Sequence, residues 1–416
     1  MRTPGAPDGL ERKTIYSMFA DPLMTSDILI IGGGIFGLSA AIELQSRDYR
    51  VCLINPDRIP HPLAASTDIS KIVRMEYGSD ALYFEMARES IHGWHKWNEV
   101  LREKLYHQTG FLLLCRETLN HPCQQFERES ARQLSEHGFA YEHLKAEEIT
   151  DCYPAIGPDV YAEAIFNPIA GYVESGRAIA ALAEYARKIG VKIEEGQTAE
   201  KILIENGVAH AVQSREGKRF SAGHILLTAG TGCMAILPEL KQVMQATGHP
   251  VYHFRPTDPS LFQASQLPVF AADISNTGWY GFPWHPKEGV VKIARHAKGL
   301  LIDPEKDDRR VSDTEVKEAK RFLRQSFPQL AGAPLVFTRR CLYSDTQDGH
   351  FWIDQHPEIR NLSVSTGGSG HGMKMGPVLG QLTADMIEGK AHPCLSRFSW
   401  RSFDGNVKAE EEARAD

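Results

Sequence analysis

The sequence predicts an α/β fold, in which a parallel sheet is joined to a second domain of α+β character. Residues 27–31 form a short β-branched run of the kind found in buried parallel strands. Glycines occupy positions 32–34, and residues 35–46 then carry apolar side chains at helical spacing. Residues 50–54 form a second strand-like run. Strand, turn, helix and strand thus fit within about 30 residues, the order of a Rossmann-like βαβ unit.

Later segments of the chain predict further elements of both kinds. Residues 177–189 have one apolar face and predict an amphipathic helix. Pro377 opens another helical segment and Gly389 follows its end, a pattern typical of helix boundaries. The aromatic-rich and proline-rich stretch at 250–300 is expected to form sheet and loops. Other helices are predicted at 82–105, 123–137 and 312–326, and other strands at 111–114, 191–193, 200–204, 208–213 and 224–228.

Size and charge narrow the class of protein. The chain has 416 residues, enough for two domains or one large one. Hydrophobic residues make up 42% and charged residues 24%, as in ordinary globular proteins. The formal net charge of -7 argues against nucleic acid as the main partner, because phosphate binding needs clustered Lys and Arg. No apolar run approaches the roughly 18 residues that span a bilayer, so no membrane partner is expected.

The termini and the cysteines predict neither secretion nor a metal site. Residues 1–24 lack the apolar centre of a secretory signal, and we expect a flexible extension there. The last five residues are not a peroxisomal address, so the cytosol is the expected location, with the peroxisome as the alternative. Seven cysteines, an odd number without a CxxC pair, predict reduced thiols and no metal.

The glycines after the first strand have distinct roles in a dinucleotide-binding turn. Gly32 permits the tight turn, Gly34 lets a pyrophosphate approach the backbone, and Gly37 lets helix and strand pack closely. The start of the helix then presents N–H groups to the phosphates. Asn55 ends the second strand, where an acidic residue usually binds the ribose, so the ribose ligand stays open. Gly230 ends a later strand in small residues that fit against a cofactor.

A thiol and a second glycine-rich run lie toward the other end of the chain. Cys341 is followed by the glycine-rich run at 366–374. A phosphate-binding turn near one end, with a thiol and a glycine-rich loop near the other, indicates one elongated ligand held at both ends. Flavin adenine dinucleotide (FAD) is such a ligand, and a cysteine beside its ring can bond to it covalently.

Six motifs in a fixed order carry a family resemblance from about residue 26 to residue 400. They are GGGIFGLSAA at 32–41, STDISKIVRMEYG at 66–78, YGFP at 280–283, VVKIARH at 290–296, RCLYSDTQDGHFWIDQHPE at 340–358 and GGSGHGMKMGP at 367–377. With these motifs the chain resembles the FAD-dependent amine oxidases of the D-amino-acid oxidase/glycine oxidase superfamily. Within it, the branch of monomeric sarcosine oxidase, pipecolate or saccharopine oxidase and fructosyl amino acid oxidase is the most similar.

The resemblance implies two discontinuous domains. One is a Rossmann-like FAD-binding domain of the GR2/DAO type. The other is an α+β substrate domain, built on a mixed or antiparallel sheet, whose segments are inserted between those of the first. The FAD-binding domain would comprise 25–82, 148–240 and 340–400, and the substrate domain 83–147 and 241–339, with an extension at 1–24 and a tail at 401–416.

The resemblance also implies how FAD is held. The cysteine that matches Cys341 is bonded through sulfur to the 8-methyl carbon of the flavin, which raises its reduction potential and prevents its loss. Lys71 matches a cation that faces the ring. His371 and Gly372 match positions whose backbone N–H groups, with the following helix, face the N1–O2 edge. The cofactor-binding residues implied in this way are Gly32, Gly34, Ile35, Phe36, Gly37, Asn55, Ser66, Lys71, Gly230, Cys341, Gly370, His371, Gly372, Met373 and Lys374.

Five residues match the substrate pocket of the family. Lys292 lies within a strand-like run, where an unpaired ammonium is costly to bury, so a local reason is expected. By resemblance it sits over the flavin N5 and helps oxygen accept electrons. Arg74 and Lys374 match the residues that hold the substrate carboxylate. His296 and Tyr343 match residues that orient the amine, and with Lys292 they form the predicted catalytic set.

The implied reaction is oxidation of a secondary amine that carries a carboxylate, giving an imine while oxygen becomes hydrogen peroxide. Tyr343 stands where fructosyl amino acid oxidases often have a second cysteine, which favours substrates like sarcosine, pipecolate or saccharopine. Amadori products, or a bulky N-alkyl substrate framed by the aromatic residues of 250–285, are the alternatives. A flavin dehydrogenase that excludes oxygen and a non-catalytic flavoprotein are the other classes. The expected partners are the small amine and oxygen, and a monomer is the expected state.

Overall fold

The computed structural model describes residues 26–403. The extension predicted for residues 1–24, and the part of the predicted tail beyond residue 403, lie outside this range. Within it, the helices are α1 (Ile35–Ser46), α2 (Ala81–Leu101), α3 (Gln125–Glu136), α4 (Ala146–Cys152), α5 (Ser175–Lys188), α6 (Cys233–Ile236), α7 (Ile274–Thr277), α8 (Asp313–Ser326), α9 (Pro328–Ala331), α10 (Gly376–Ile387) and α11 (Leu395–Phe398).

The strands of the same range are short and numerous. They are β1 (Ser26–Ile31), β2 (Val51–Asn55), β3 (Lys71–Val73), β4 (Tyr106–His107), β5 (Phe111–Cys115), β6 (Glu142–Lys145), β7 (Glu163–Asn167), β8 (Gly171–Val173), β9 (Lys192–Glu195), β10 (Ala199–Glu205), β11 (Val208–Ser214), β12 (Arg219–Leu227), β13 (Met244–Phe254), β14 (Val269–Ala272), β15 (Trp279–His285), β16 (Val290–Arg295), β17 (Leu300–Leu301), β18 (Leu335–Thr346), β19 (Trp352–Gln355) and β20 (Leu362–Thr366).

A parallel sheet forms the first layer, in the order β20–β12–β1–β2–β9. β19 pairs antiparallel with β20 at one edge, and the β10–β11 hairpin pairs with the first part of β12. Every residue of β2 and of β20 is buried, as expected for parallel strands that are covered on both faces. The predicted β1–α1–β2 unit is therefore present at the centre of this sheet.

A mixed sheet forms the second layer. Its order is β17–β13–β16–β15–β14–β5–β7–β6, and β18 pairs with β13 along the length of both strands. All of these pairs are antiparallel except β5 with β14. A small antiparallel sheet, β3–β8–β4, completes the strand pairing. The α/β class and the mixed second sheet predicted from the sequence are confirmed.

Close backbone packing fixes the turn after β1. Gly32 has φ +112°, a conformation that glycine alone adopts without strain. A Cβ on Gly37 would lie 1.9 Å from the carbonyl oxygen of Gly32, so any larger residue would push α1 off the turn. The Thr228 hydroxyl lies 2.9 Å from the carbonyl oxygens of both Ile31 and Gly32 and holds the turn from β12. The predicted roles of Gly32 and Gly37 thus correspond to contacts in the structure.

Helices α1 and α10 cross at a similarly short distance. A Cβ on Gly380 would lie 2.4 Å from the carbonyl oxygen of Ser39, and one on Gly376 would lie 2.7 Å from the end of the Ile35 side chain. Small residues permit such an approach because nothing projects between the two backbones. This crossing places the start of α10, and the glycine-rich run before it, beside the start of α1.

The predicted elements agree with the structure in kind, with differences at their boundaries. The helix predicted at 82–105 ends at Leu101, because Arg102 adopts a left-handed conformation with φ +53° that closes the helix. The stretch at 250–300 contains the strands β14, β15 and β16, the end of β13 and the start of β17, as well as loops. Two predicted domain boundaries do not coincide with a change of sheet, since β7 lies in the mixed sheet and β18 runs across residue 340. The domain ranges themselves stay a prediction.

Three further properties concern the described residues alone. No helix between residues 26 and 403 is both long enough and apolar enough to cross a membrane. In the same range, no three or more His, Cys, Asp or Glu side chains converge in a way that would hold a metal ion. All seven cysteines lie within the range, and none of them forms a disulfide there.

Candidate active site

A cavity lies where β3, β15, β16 and the glycine-rich run before α10 meet. Three of its lining residues, Ser70, Ile72 and Ile274, were not singled out from the sequence, and two more, Tyr280 and Phe282, are among the aromatic residues of 250–285. Nine predicted site residues line it: Lys71, Arg74, Lys292, His296, Tyr343, Gly370, His371, Met373 and Lys374. Residues more than 300 positions apart in sequence therefore converge on one small volume.

The Lys292 side chain is buried and forms an ion pair. Its Nζ lies 2.7 Å from a carboxylate oxygen of Asp68 and 2.6 Å from the carbonyl oxygen of Ser70. Lys292 is 2% exposed and Asp68 side chain 3% exposed, so water cannot replace either contact. The Phe282 ring, with its centroid 4.7 Å from Nζ, adds a cation–π contact. These contacts offset the cost of burying the ammonium, as the sequence led us to expect.

The Asp68 carboxylate has several basic neighbours. Besides Lys292, His253 lies 3.8 Å and Arg339 3.9 Å from it. Burial alone would raise the pKa of Asp68, but the charges of Lys292, Lys71 and Arg339 and the contact with His253 hold it well below its usual value. Burial lowers the pKa of Lys292 to about 8, and Asp68 opposes this fall. At neutral pH the pair is therefore an ionised carboxylate and a protonated ammonium.

Arg74 and Lys374 both lie close to the ring of Tyr77. The guanidinium carbon of Arg74 is 5.0 Å and Nζ of Lys374 is 4.7 Å from the centroid of Tyr77. Phe111 and Phe126 also lie within 5.8 Å of the Arg74 guanidinium. Both cations are buried, so their charges are weakly screened by water. Two cations and an aromatic ring in this arrangement suit a small carboxylate.

The backbone of Lys374 is fixed by helix α2. Its carbonyl oxygen accepts hydrogen bonds from the Ser90 hydroxyl at 2.5 Å and from the Trp94 indole at 3.0 Å. Asp80 caps this helix by accepting from the backbone N–H groups of Leu82 and Tyr83. Helix α2, which the sequence predicts, therefore holds the backbone of Lys374 in place.

His371 belongs to a hydrogen-bonded chain whose direction can be assigned. Its Nε2 lies 3.0 Å from the carbonyl oxygen of Gly349, which can only accept, so Nε2 carries the proton. Its Nδ1 then accepts from the Tyr77 hydroxyl at 3.1 Å. The ring stacks on Phe351 with centroids 4.6 Å apart. His371 thereby fixes Tyr77, the ring on which Arg74 and Lys374 rest.

The backbone hydrogen bonds of the glycine-rich run differ from the expectation. The N–H groups of His371 and Gly372 both donate to the carbonyl oxygen of Gly368, at 2.8 and 3.0 Å. They are occupied within the run, so they do not point outward as predicted. A 3-10 turn at Met373–Met375 follows and leads directly into α10. Any positive dipole at this edge of the cavity would come from that turn and the start of α10.

Cys341 is buried on β18 next to the cavity but does not line it. It packs with Val251, Ala294 and Tyr343, and Tyr280 lies against this cluster. Tyr343, two residues further along the same face of β18, does line the cavity. Its ring stacks on His249 with centroids 3.9 Å apart. The thiol therefore lies beside Tyr343, on the same face of β18, and just outside the lining of the cavity.

His296 follows the last residue of β16 at the rim of the cavity. Its backbone N–H donates to the carbonyl oxygen of Gly278 at 2.7 Å, which ties the end of β16 to the start of β15. Its ring lies 6.3 Å from that of Tyr343. Burial raises the pKa of the Tyr280 hydroxyl, which keeps this cavity residue protonated. His296, Tyr343 and Tyr280 thus add polar groups to the lining of the cavity.

The glycine turn after β1 fits a pyrophosphate. The first-turn N–H groups of Phe36 and Gly37 have no protein acceptor within the part of the chain that the structure describes. The N–H of Ile35 donates to the Ser66 hydroxyl at 3.0 Å, which leaves the hydroxyl hydrogen available to a ligand. A Cβ on Gly34 would meet nothing closer than the Ser66 oxygen at 3.2 Å, so the backbone there is open to approach. Donors with open space at a helix N-terminus are the features that dinucleotides require.

Two other predicted residues at this end have clear environments. The Asn55 side-chain oxygen accepts from the Gly33 N–H at 2.9 Å, and its amide donates to the carbonyl oxygen of Asp57 at 2.7 Å. Asn55 therefore stabilises the turn itself, and its predicted contact with the ribose stays a prediction. Gly230 has φ +57° and would carry a Cβ without meeting any atom within 4 Å, so the surface beside it is open.

Phe36 joins the turn to the cavity. A Cβ on Gly372 would lie 2.7 Å, and one on Gly368 3.3 Å, from the Phe36 ring. The ring also meets Phe351 edge-to-face at 5.7 Å. A single side chain at the start of α1 thus contacts the run that carries His371 and Lys374. The two ends at which the sequence predicts that FAD is held are contiguous in the structure.

The sequence reasoning missed Asp68 and Tyr77, although both lie inside the STDISKIVRMEYG motif. No counter-ion for Lys292 is predicted from the sequence, and the structure supplies Asp68. The signal that could have indicated such a carboxylate is the lysine within a strand-like run, because a buried ammonium needs a counter-ion. Of the aromatic residues expected to frame a bulky substrate, Tyr280 and Phe282 line the cavity, whereas Tyr252, Phe254 and Trp279 pack in the core of the mixed sheet.

Comparison with known proteins adds sequence relatives that span nearly the whole chain. L-saccharopine oxidase from Schizosaccharomyces pombe is 28% identical, over 92% of this chain and 94% of the relative. Monomeric sarcosine oxidase from Bacillus sp. (strain NS-129) is 26% identical, over 90% and 96%. Peroxisomal sarcosine oxidase from Homo sapiens is 27% identical, over 86% and 91%.

Solved structures share the fold. Fructosyl peptide oxidase from E. terrenum has a TM-score of 0.82 at 19% identity, covering 94% of this chain and 96% of that one. Amadoriase I from Aspergillus fumigatus has a TM-score of 0.77 at 24% identity, covering 90% and 89%. At these identities the likeness is one of fold. The family model of the DAO type, FAD dependent oxidoreductase, matches residues 27–386, and the chain therefore belongs to this family of FAD-dependent oxidoreductases.

Proposed function

We propose that this protein is an FAD-dependent oxidase of a secondary amine that carries a carboxylate. The observation that carries the proposal is the cavity in which Arg74 and Lys374 share the Tyr77 ring while Asp68 holds Lys292 in another part of the lining. An anionic substrate is favoured because four lysine and arginine side chains line the cavity and no Asp or Glu among the described residues lines it. FAD would supply the acceptor for the hydride equivalent that leaves the carbon beside the amine.

Binding would begin with the substrate carboxylate. The Arg74 fork and the Lys374 ammonium would hold its two oxygens in a buried site, where such contacts are stronger than in water. Fixing one end of a small molecule orients its C–H bond and lowers the entropy lost on reaction. Tyr77 and His371 would keep the two cations in place through the hydrogen bond between them.

The amine end would lie toward His296, Tyr343 and Tyr280. Oxidation requires a neutral amine, and a cavity that already contains several cations disfavours a protonated one. No carboxylate in the cavity wall would stabilise the ammonium form, since Asp68 is engaged by Lys292. The pocket itself would thus promote loss of the amine proton to solvent, and a dedicated general base is not required.

Lys292 would serve the oxygen step. A fixed ammonium stabilises negative charge that develops on oxygen as it accepts electrons. Asp68 keeps this lysine protonated at neutral pH despite its burial. We also propose that Cys341 bonds through Sγ to the 8-methyl carbon of the flavin, since it is buried beside Tyr343, which lines the cavity. A monomeric state and residence in the cytosol complete the proposal.

Substrates like sarcosine, pipecolate or saccharopine are favoured over Amadori products. The full-length sequence relatives are oxidases of sarcosine and L-saccharopine, whereas the fructosyl amine oxidases share the fold at lower identity. Most aromatic residues of 250–285 belong to the core, which leaves Tyr280 and Phe282 to contact a substrate. A dehydrogenase that excludes oxygen is the second candidate class, and the charged Lys292 beside the cavity argues against it.

A screen of amines tests the function. Purified protein is mixed with N-methyl, cyclic, N-carboxyalkyl and N-glycated amino acids, and hydrogen peroxide is measured by a coupled assay. We expect peroxide with at least one of the first three classes, and none with the matching amines that lack a carboxylate, because those amines cannot form the contacts proposed for Arg74 and Lys374. Bleaching of the flavin without peroxide would instead identify a dehydrogenase, and no bleaching with any amine would overturn the proposal.

Replacement of Lys292 tests its role with oxygen. Lys292→Met keeps the length of the side chain but removes the charge, and we expect the rate of reoxidation to fall about 100-fold or more. Reduction by the amine should change far less. Stopped-flow absorbance follows each half-reaction separately. Lys298→Met, an exposed lysine six residues further on, is the matched control and should leave both rates unchanged. Equal slowing of both half-reactions in Lys292→Met would contradict the assignment.

The pH dependence of the oxygen step tests the ion pair. In the wild type, the rate should fall as pH rises through about 8, because Lys292 then loses its proton. Asp68→Asn removes the opposing charge, so the pKa of Lys292 should fall further and the loss of rate should begin at lower pH. The enzyme is reduced with dithionite before mixing with oxygen, which excludes ionisation of the substrate amine.

Asp258→Asn, at an exposed position, provides the control for this pH series. Its profile should overlay that of the wild type. A profile for Asp68→Asn that also overlays the wild type would show that Asp68 does not set the charge of Lys292.

Replacement of Cys341 tests the covalent link. After acid precipitation, wild-type protein should retain its flavin fluorescence, and Cys341→Ala should release all of it while still binding FAD before acid. Cys115→Ala, which removes another fully buried thiol, is the control and should retain the acid-stable flavin. Release of all flavin from the wild type, with seven free thiols counted, would exclude the link.

A further inference from the structure

A second pocket lies on the outer side of the mixed sheet, away from the residues that line the first cavity. Its volume is about 210 Å³, and it is bounded by the end of β5, the start of β15, the end of β16 and helix α8. Arg116, Arg295 and Arg321 all line it, together with one acidic residue, Glu318. None of these residues belongs to the site proposed above, and the proposed oxidase reaction assigns them no role.

The charges around this pocket do not balance. Arg295 is engaged, since its Nε donates to the carbonyl oxygen of Thr277 at 3.1 Å and its guanidinium lies 3.4 Å from Glu318. The side chains of Arg116 and Arg321 form no salt bridge and no hydrogen bond within the described part of the chain. Two guanidinium charges therefore face one pocket without a protein counter-ion. Their mutual repulsion is unfavourable unless an anion or water screens it.

The pocket has a rigid floor. Trp279 and Phe322 stack with ring centroids 4.7 Å apart and an interplanar angle of 8°, and both are buried. The Arg295 guanidinium carbon lies 5.7 Å from the Trp279 ring, and residues 279 and 295 face each other across β15 and β16. Glu318, Arg321 and Phe322 lie on one face of α8 by their spacing. Arg295 is thus held by packed elements, whereas Arg116 and Arg321 are exposed side chains that line the pocket above this floor.

We propose that this pocket binds a small dianion, a phosphate group or a dicarboxylate, between Arg116 and Arg321. Two guanidinium forks can each present paired N–H donors to oxygen atoms, which suits both chemistries. The volume admits either group with room for one short substituent over the aromatic floor. Because Arg295 directly precedes His296, the pocket and the proposed active site share the same end of β16. The proposal goes beyond the oxidase reaction and does not depend on it.

Calorimetric titration of the FAD-loaded protein with inorganic phosphate tests the site. Sodium chloride keeps the ionic strength constant, and the Arg74→Gln background removes binding at the proposed carboxylate clamp. We expect saturable binding of one phosphate, with Kd raised about tenfold in each of Arg116→Gln and Arg321→Gln. Succinate in place of phosphate distinguishes the source, and saturable binding of either dianion that depends on these two arginines supports the proposal.

Arg324→Gln provides the matched control. Arg324 is exposed, lies on the same helix three residues after Arg321, and does not line the pocket. Its replacement should leave Kd unchanged. If Arg324→Gln weakens binding as much as Arg321→Gln, the anions bind to the general charge of α8, and the proposal is overturned. Absence of saturable binding by both phosphate and succinate would overturn it as well.

Discussion

The ion pair between Lys292 and Asp68 joins the two layers of the molecule at the place where the chemistry is proposed. Lys292 lies in the mixed sheet, and Asp68 lies in the segment that links β2 to β3. The Asp68 carbonyl oxygen also accepts from the Gly176 N–H at 2.8 Å and from the Ser175 hydroxyl at 2.9 Å, at the start of α5. Removing two charges from water costs several kcal/mol per ion, and only close pairing offsets that cost. The pair therefore adds little to the free energy of unfolding, but it fixes the position of Lys292 relative to the segment that carries Asp68.

The rest of the site depends on backbones that approach closely. Gly37 lets α1 rest on the turn after β1, and Gly380 lets α10 rest on α1. Phe36 then reaches the glycine-rich run at Gly368 and Gly372, with no space for a Cβ on Gly372. Close contacts at these glycines, which have no side chain, thus connect the turn after β1 to the cavity. An elongated cofactor can be bound at both ends only if the turn after β1 and the cavity keep a fixed distance from each other.

The fold could be predicted from the sequence to a large extent because its signals are local. The β-branched run, the three glycines and the helical spacing of residues 35–46 specify one βαβ unit without long-range information. The cavity residues could be named through the family motifs, which place Lys292, Arg74 and Lys374 by order along the chain. The partner of Lys292 could not, because Asp68 is 224 positions away and nothing local relates the two. The same holds for Tyr77, whose role depends on His371 and on two cations from separate segments.

The electrostatics of the site run against those of the whole chain. The protein carries a formal net charge of -7, yet its cavity is lined by four cationic side chains. Low-dielectric walls concentrate the local field, so a buried cationic site attracts an anion even within a protein that repels anions at long range. Asp68 pairs with one of these cations, Lys292, while Arg74 and Lys374 lie around Tyr77 and Lys71 lines the same cavity. In the proposed function, the pairing of Asp68 with Lys292 therefore decides how positive charge is divided between the amine end and the carboxylate end of the substrate.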